Sequence, residues 1–97
     1  MKIILNDIGF GPHSIGVLAK VIKKSSGSSP SFLELKSNNI GDEGAKKLSG
    51  ILKVATSLVH VDLRSNEISN AGLMHLLTSV GESKSIATFL IGNVNSM

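Results

Sequence analysis

Cysteine is absent from the 97 residues, and so are tryptophan and tyrosine. Without cysteine there is no disulfide staple, no thiolate metal site and no cysteine nucleophile, which excludes cysteine-dependent ligases and proteases. Three phenylalanines make up the whole aromatic content, so a core has to be assembled from Leu, Ile and Val, in aliphatic layers that suit stacked units. Long hydrophobic runs are missing as well. The opening Met1-Lys2-Ile3-Ile4-Leu5 is interrupted by Asn6 and Asp7 before the apolar stretch of a signal peptide accumulates, and no segment approaches a membrane span. These absences favour an intracellular, cytoplasmic protein, with export by a route that needs no such signal left open. Ten Lys+Arg against seven Asp+Glu give a net charge of +3. The excess sits mostly at Lys20, Lys23, Lys24, Lys46, Lys47 and Lys53, inside predicted helices rather than in an arm or tail. A solvated helix face accounts for it, and without interleaved aromatics nucleic acid is not an expected partner.

What is present is an echo. The stretch Phe32-Leu33-Glu34-Leu35-Lys36-Ser37-Asn38-Asn39-Ile40 returns as His60-Val61-Asp62-Leu63-Arg64-Ser65-Asn66-Glu67-Ile68. Leu33 and Val61, Leu35 and Leu63, Asn38 and Asn66, Ile40 and Ile68, Gly44 and Gly72, and Leu48 and Leu76 all share one offset of 28 residues. A fixed period of that length marks units that cannot bury their own hydrophobic faces and must stack on their neighbours. In each unit, alternation at Val61 and Leu63 reads as a half-buried strand, and Leu73, Leu76, Leu77 and Val80 then recur at helical spacing. The run Ser69 to Gly72 supplies N-cap candidates for that helix, and Asp42 is the expected cap of the helix before it.

An offset of 30 aligns Ile3, Leu5, Phe10, Ile15, Leu18, Val21 and Ile22 with the second unit, the extra length falling in Ser25-Ser26-Gly27-Ser28-Ser29-Pro30. This first unit is atypical, with Ile8 at the Asn position and Ser14 at the Gly position, as befits a terminal cap. Beyond the last helix, Ile86, Phe89 and Ile91 align with Leu58, Val61 and Leu63, so a final strand is expected over 87–91. Val94 falls at the Asn position with Asn93 and Asn95 on either side, and no closing helix follows. The reading is one domain over 1–97: an atypical first repeat 1–30, repeats 31–57 and 58–85, and a terminal strand within 86–91.

The order L-x-L-x-x-N-x-I, with the 28-residue period and Gly after the turn, resembles the leucine-rich repeat family, and its ribonuclease-inhibitor-like subclass in particular. That resemblance implies an α/β solenoid, with a parallel concave sheet of about four strands and three convex helices. It also implies a protein-interaction scaffold without catalysis of its own, and makes a regulator of a small GTPase or a bacterial effector conceivable.

With Leu33, Leu35, Val61 and Leu63 inward, strand alternation turns Phe32, Glu34, Lys36, His60, Asp62 and Arg64 outward onto the concave face. They form rows: Lys2, Phe32, His60, Thr88; Ile4, Glu34, Asp62, Leu90; Asn6, Lys36, Arg64, Gly92. Glu34 beside Asp62 and Lys36 beside Arg64 place like charges together, giving either stripes that match a partner or diagonal pairs satisfied in solvent. Phe32 is the one phenylalanine on an outward position. It reads as an interface anchor beside His60 or as a cover over Ile4. Asn38 and Asn66 sit where the chain leaves the sheet, either as a ladder satisfying backbone groups of the neighbouring turn or as simple turn-formers.

Gly11 to Gly16 has the outer spacing of a phosphate loop, but Val17 and Leu18 stand where Lys and Ser or Thr would be required. His13, His60 and His75 are scattered, with no paired ligand at metal-binding spacing, and no nucleophile has a visible base. Neither cofactor, metal nor enzyme activity is expected. The leading function is engagement of another protein by the concave face. The alternative is a structural unit that forms a homodimer through the charge-free edge around Ile86, Thr88 and Leu90.

Overall fold

The computed structural model describes residues 2–24 and 30–92. Residues 25–29 of the serine-rich connection, and the segment with Asn93, Val94 and Asn95, lie outside the described residues. Four three-residue strands, β1 (Lys2–Ile4), β2 (Phe32–Glu34), β3 (His60–Asp62) and β4 (Thr88–Leu90), alternate with α1 (Pro12–Lys24), α2 (Gly41–Val54) and α3 (Asn70–Glu82). The strands form a single sheet in chain order, every pair parallel. Lys2 pairs with Phe32, Phe32 with His60, and His60 with Thr88, while Ile4, Glu34, Asp62 and Leu90 make the next row. β4 is shorter than the sequence suggests, but the ladder continues past the strand ends, as in Leu35 N to Asp62 O, Ser37 N to Arg64 O and Leu63 N to Leu90 O. Parallel order in sequence needs a crossover after each strand, and each helix supplies one, packed side by side with the next on the same face.

Between sheet and helices lies one aliphatic core. Leu33 and Val61 from the strands, and Leu35 and Leu63 just beyond them, meet Ile15, Leu18, Ile22, Leu48, Ile51, Leu52 and Leu76 from the helices, with Ile40, Leu58 and Ile68 closing the loops. Burial is deepest in the middle unit and thins outward, where Ile3, Leu5 and Phe10 at one end and Ile86, Phe89 and Ile91 at the other are only partly covered. Two expected core positions face solvent instead: Val21 is 58% exposed and Leu77 48% exposed. Val21 is on α1, which has a helix neighbour only on its α2 side, and Leu77 is on α3, which has one only on its α2 side among the described residues, so each apolar stripe is wider than the face it can bury.

Each strand leaves the sheet through a turn containing left-handed backbone. Asp7, Ser37 and Ser65 have φ of 53°, 57° and 60°, and two residues later Gly9, Asn39 and Glu67 have φ of 72°, 57° and 56°. The second of these left-handed residues turns the amides on either side of it the same way, making a small concave donor pair. Asn38 Oδ1 accepts from the Ile8 and Phe10 amides, flanking Gly9. Asn66 Oδ1 accepts from the Asn38 and Ile40 amides, flanking Asn39. The amide groups point the other way, Asn38 Nδ2 to the Leu5 and Lys36 carbonyls and Asn66 Nδ2 to those of Leu35, Leu63 and Arg64. Both side chains are buried.

Asp42 corrects the reading of the helix starts. It does not cap its own helix, whose N-cap residue Ile40 is already in right-handed helical backbone and makes no side-chain cap bond. It reaches across to the next unit, accepting from the Ser69 amide at 2.7 Å, the Ser69 hydroxyl, and the Gly72 amide at 3.1 Å. These are donors at the start of α3, so one repeat caps the helix of its successor. The repeated glycines find their reason here as well. A Cβ on Gly72 would collide with Asp42 Oδ1 and come within 2.9 Å of Ile68 Cγ2 and 3.1 Å of Ala45 Cβ; one on Gly44 would collide with Ile40. The crowding comes from side chains of the unit's own loop and of the preceding helix.

Candidate functional site

The helices cover one face of the sheet and, among the described residues, no element covers the other, so the side chains pointing away from the core along β1 to β4 form the candidate site. In the first row, the Phe32 and His60 rings stack with centroids 4.1 Å apart and planes 8° from parallel. Lys2 Nζ lies 5.1 Å from the centroid of Phe32, within cation–π range. Adjacent parallel strands stand about 4.8 Å apart, which is the spacing at which two flat rings in register can lie face to face. Phe32 is half-buried as a result, and its contact is with His60 rather than an isolated outward projection.

The second row is more polar than solvent-exposed. Glu34 accepts at Oε1 from Asn6 Nδ2 at 3.0 Å, and Asn6 Oδ1 accepts from the Lys36 amide at 2.8 Å. Glu34 Oε2 lies 3.7 Å from His60 Nε2. Asp62, expected on a solvated surface, is 1% exposed. It is covered by Arg64, two residues further along the chain just past β3, which donates through Nε at 3.0 Å and Nη2 at 2.7 Å, with its backbone amide adding a third bond at 3.2 Å. Neither of the diagonal pairs considered from sequence is the pairing adopted: Asp62 takes Arg64, two residues further along the chain, and Glu34 takes Asn6. Burial pushes the Asp62 carboxyl up, but the bonds from Arg64, its charge and that of Lys36 outweigh that penalty and hold it below the ordinary carboxylate value. Arg64 is raised in turn by its bonds to Asp62. The Arg64 guanidinium is therefore partly committed to keeping a buried charge neutralised.

The edge residues divide. Thr88 is exposed and Leu90 half-buried on the open face, whereas Ile86, expected to contribute to a free edge, packs against the core. β4 pairs with β3 on one side, and among the described residues no strand pairs with its other side. A second concavity of about 390 Å³ lies along the turns, lined by Asp7, Gly9, Ser37, Asn38, Asn39 and Ser65. Sequence reasoning placed Lys2 and Asn6 in the rows without giving them a role. The signal for one was available, since a cation one strand from an outward phenylalanine is a cation–π candidate. The reach of Asp42 was hidden because it depends on how far α2 and α3 are displaced along each other. Linear spacing likewise hid a cluster of potential ligand side chains. Glu34, His60 and Asp62 each offer a donor atom, and these atoms all lie within 4.8 Å of one another. Among the described residues no helix is long and apolar enough to cross a membrane.

Two comparisons bear on this architecture. Residues 32–49 and 54–77 match the family described as Leucine Rich repeat. Tonsoku-like protein of Bos taurus is 31% identical over 93 residues, covering 93% of this chain and 7% of that protein. The chain thus spans well under a tenth of that relative's length.

Proposed function

We propose that this chain, whose fold is that of leucine-rich repeats and whose central segments match that family, binds another protein through the open, concave face of its sheet. Leucine-rich repeat domains generally mediate protein–protein interaction. The observation that carries the reading is the mixed chemistry of that face: a stacked Phe32–His60 pair between Lys2 on one side and the Glu34 carboxylate on the other. An aromatic anchor rimmed by both signs of charge is the usual composition of an interface hot spot. Nothing in this role requires catalysis. The 28-residue period and the full α-helix in each unit support assignment to the ribonuclease-inhibitor-like subclass.

The test is affinity capture from a native lysate, comparing the wild type with Phe32→Ala/Lys36→Ala. Arg64 is left intact because removing it would strand the buried Asp62 charge. The variant should retain its melting temperature to within a few degrees and lose its partner, the aromatic truncation alone weakening binding by roughly thirtyfold. Equal capture by both proteins would move the interface elsewhere.

A second reading is favoured by the outer side of β4, with which no strand pairs among the described residues. Ladder groups along an open strand template another strand, so the chain would self-associate there, with Thr88 and Leu90 at the contact.

A further inference from the structure

Of the features on the open face, the His60 imidazole is the least satisfied. Its Nε2 is fully enclosed and has no hydrogen-bond partner among the described residues. A buried polar atom without a partner costs stability, and native proteins usually supply one. Phe32 stacked on the ring restricts its rotation, so the nitrogen is aimed rather than merely stranded. It faces Glu34 Oε2 at 3.7 Å, beyond hydrogen-bonding distance. Asp62 lies two residues along the same strand, opposite Glu34 in the register, and the three donor atoms lie within 4.8 Å of one another.

We propose that Glu34, His60 and Asp62 bind a first-row transition-metal ion, Zn²⁺ in the first instance, on the open face of the sheet. Two donors on a tetrahedral ion with bonds of about 2.0–2.1 Å stand roughly 3.4 Å apart. The His60–Glu34 separation needs only a few tenths of an ångström to reach that value, and since no separation in the set exceeds 4.8 Å, the others close with a carboxylate shift of at most about 1.5 Å. The donors sit on the two central strands, whose parallel ladder holds them in fixed register. Both carboxylates already have hydrogen bonds of the kind that ligating carboxylates typically carry, Glu34 Oε1 from Asn6 and Asp62 Oδ1 from the Arg64 amide and Nε. Arg64 is 47% exposed, so its outer nitrogen can swing off Asp62 Oδ2 as the ion arrives while the backbone amide bond to Oδ1 remains.

The donor types choose among ions. An imidazole with two carboxylates suits Zn²⁺ and its neighbours, whereas Ca²⁺ takes six to eight oxygens and Mg²⁺ an octahedral oxygen shell. Three protein ligands leave a fourth position for water, which points to moderate affinity. The competing arrangement is a simple ion pair between protonated His60 and Glu34, which would hold no metal.

Titration of the intact chain with ZnCl2 at neutral pH, followed by calorimetry, should show one ion per chain with a dissociation constant in the micromolar range. Glu34→Gln, which preserves shape, and His60→Asn should each weaken binding tenfold or more. Imidazole NMR of the wild type gives a readout independent of any variant: the His60 resonances should move on Zn²⁺ addition while those of His13 and His75 stay. Absence of heat up to millimolar Zn²⁺, undiminished binding in Glu34→Gln, or shifts confined to His13 or His75 would each overturn the proposal.

Discussion

In the second and third units one asparagine holds the turn of the unit before it, and Asn66 shows how much one residue can carry. Its oxygen accepts from two amides of the preceding unit and its nitrogen donates to three carbonyls, with the side chain 3% exposed. Truncation to alanine strips partners from several buried backbone groups, each worth about 1–3 kcal/mol when orphaned. Asn66→Ala should therefore lower unfolding stability by about 3 kcal/mol or more in urea titrations, a large share of the roughly 5–15 kcal/mol of an ordinary domain. A loss under about 1 kcal/mol would mean that water replaces the side chain at little cost. Aspartate at the same place keeps the acceptor but loses the donor, and should fall between the two. At this scale the sequence spoke clearly about some residues and not others. Asn38 and Asn66 stood out because they recur in register. Asp62 did not announce its burial, since its alternation with Val61 and Leu63 says only which way it points; the covering guanidinium of Arg64 belongs to the folded arrangement of the two side chains.

At the scale of the helix, the start of α3 depends on a carboxylate from α2. The bonds to the Ser69 hydroxyl and amide, the Gly72 amide bond and the charge of His75 hold Asp42 below its ordinary value of 3.8, against a smaller opposing effect of burial. The unfolded chain then binds a proton at a higher pH than the folded one does. The stabilisation is therefore present above the unfolded value and is lost as pH falls through the folded one. Asp42→Asn should cost about 0.5–2 kcal/mol at pH 7, the range of a lost N-cap. The gap between wild type and variant should narrow below about pH 4 in denaturant titrations across pH. A gap that stays constant down to pH 2 would show that the charge of Asp42 is not what caps α3. The existence and order of the helices were legible from the recurrence of Leu, Ile and Ala. Their exposed flanks at Val21 and Leu77 were not, because periodicity marks an apolar stripe without telling how much of it a neighbour will cover.

For the molecule as a whole, the gradient of burial sets where new contacts are worth making. The central layers are closed on both sides, while Phe89 and Ile91 remain only half covered at the β4 end. If that end pairs with a second copy, sedimentation should show a concentration-dependent dimer, and Thr88→Lys with Leu90→Lys should shift it to monomer by placing like charges on the joining strand. A monomer at high concentration in the wild type would remove self-association as a role. The overall architecture was the most legible level of all, since the 28-residue offset, lengthened to 30 for the first unit, gives strand order and register, and alternation gives the side of each strand residue.

The cross-links between units run in opposite directions. Asn66 serves the turn of the unit before it, whereas Asp42 serves the helix of the unit after it. No unit is therefore self-sufficient, and none is a spare part. Pro12 stands at the position equivalent to Asp42 in the first unit and Asn70 in the third, so transposing two units would leave one helix start unserved and one donor pair unanswered. The order of the units along the chain is thus itself a structural specification, and circular permutation or repeat grafting at this site should succeed only when the asparagine and the aspartate travel with the neighbours they serve.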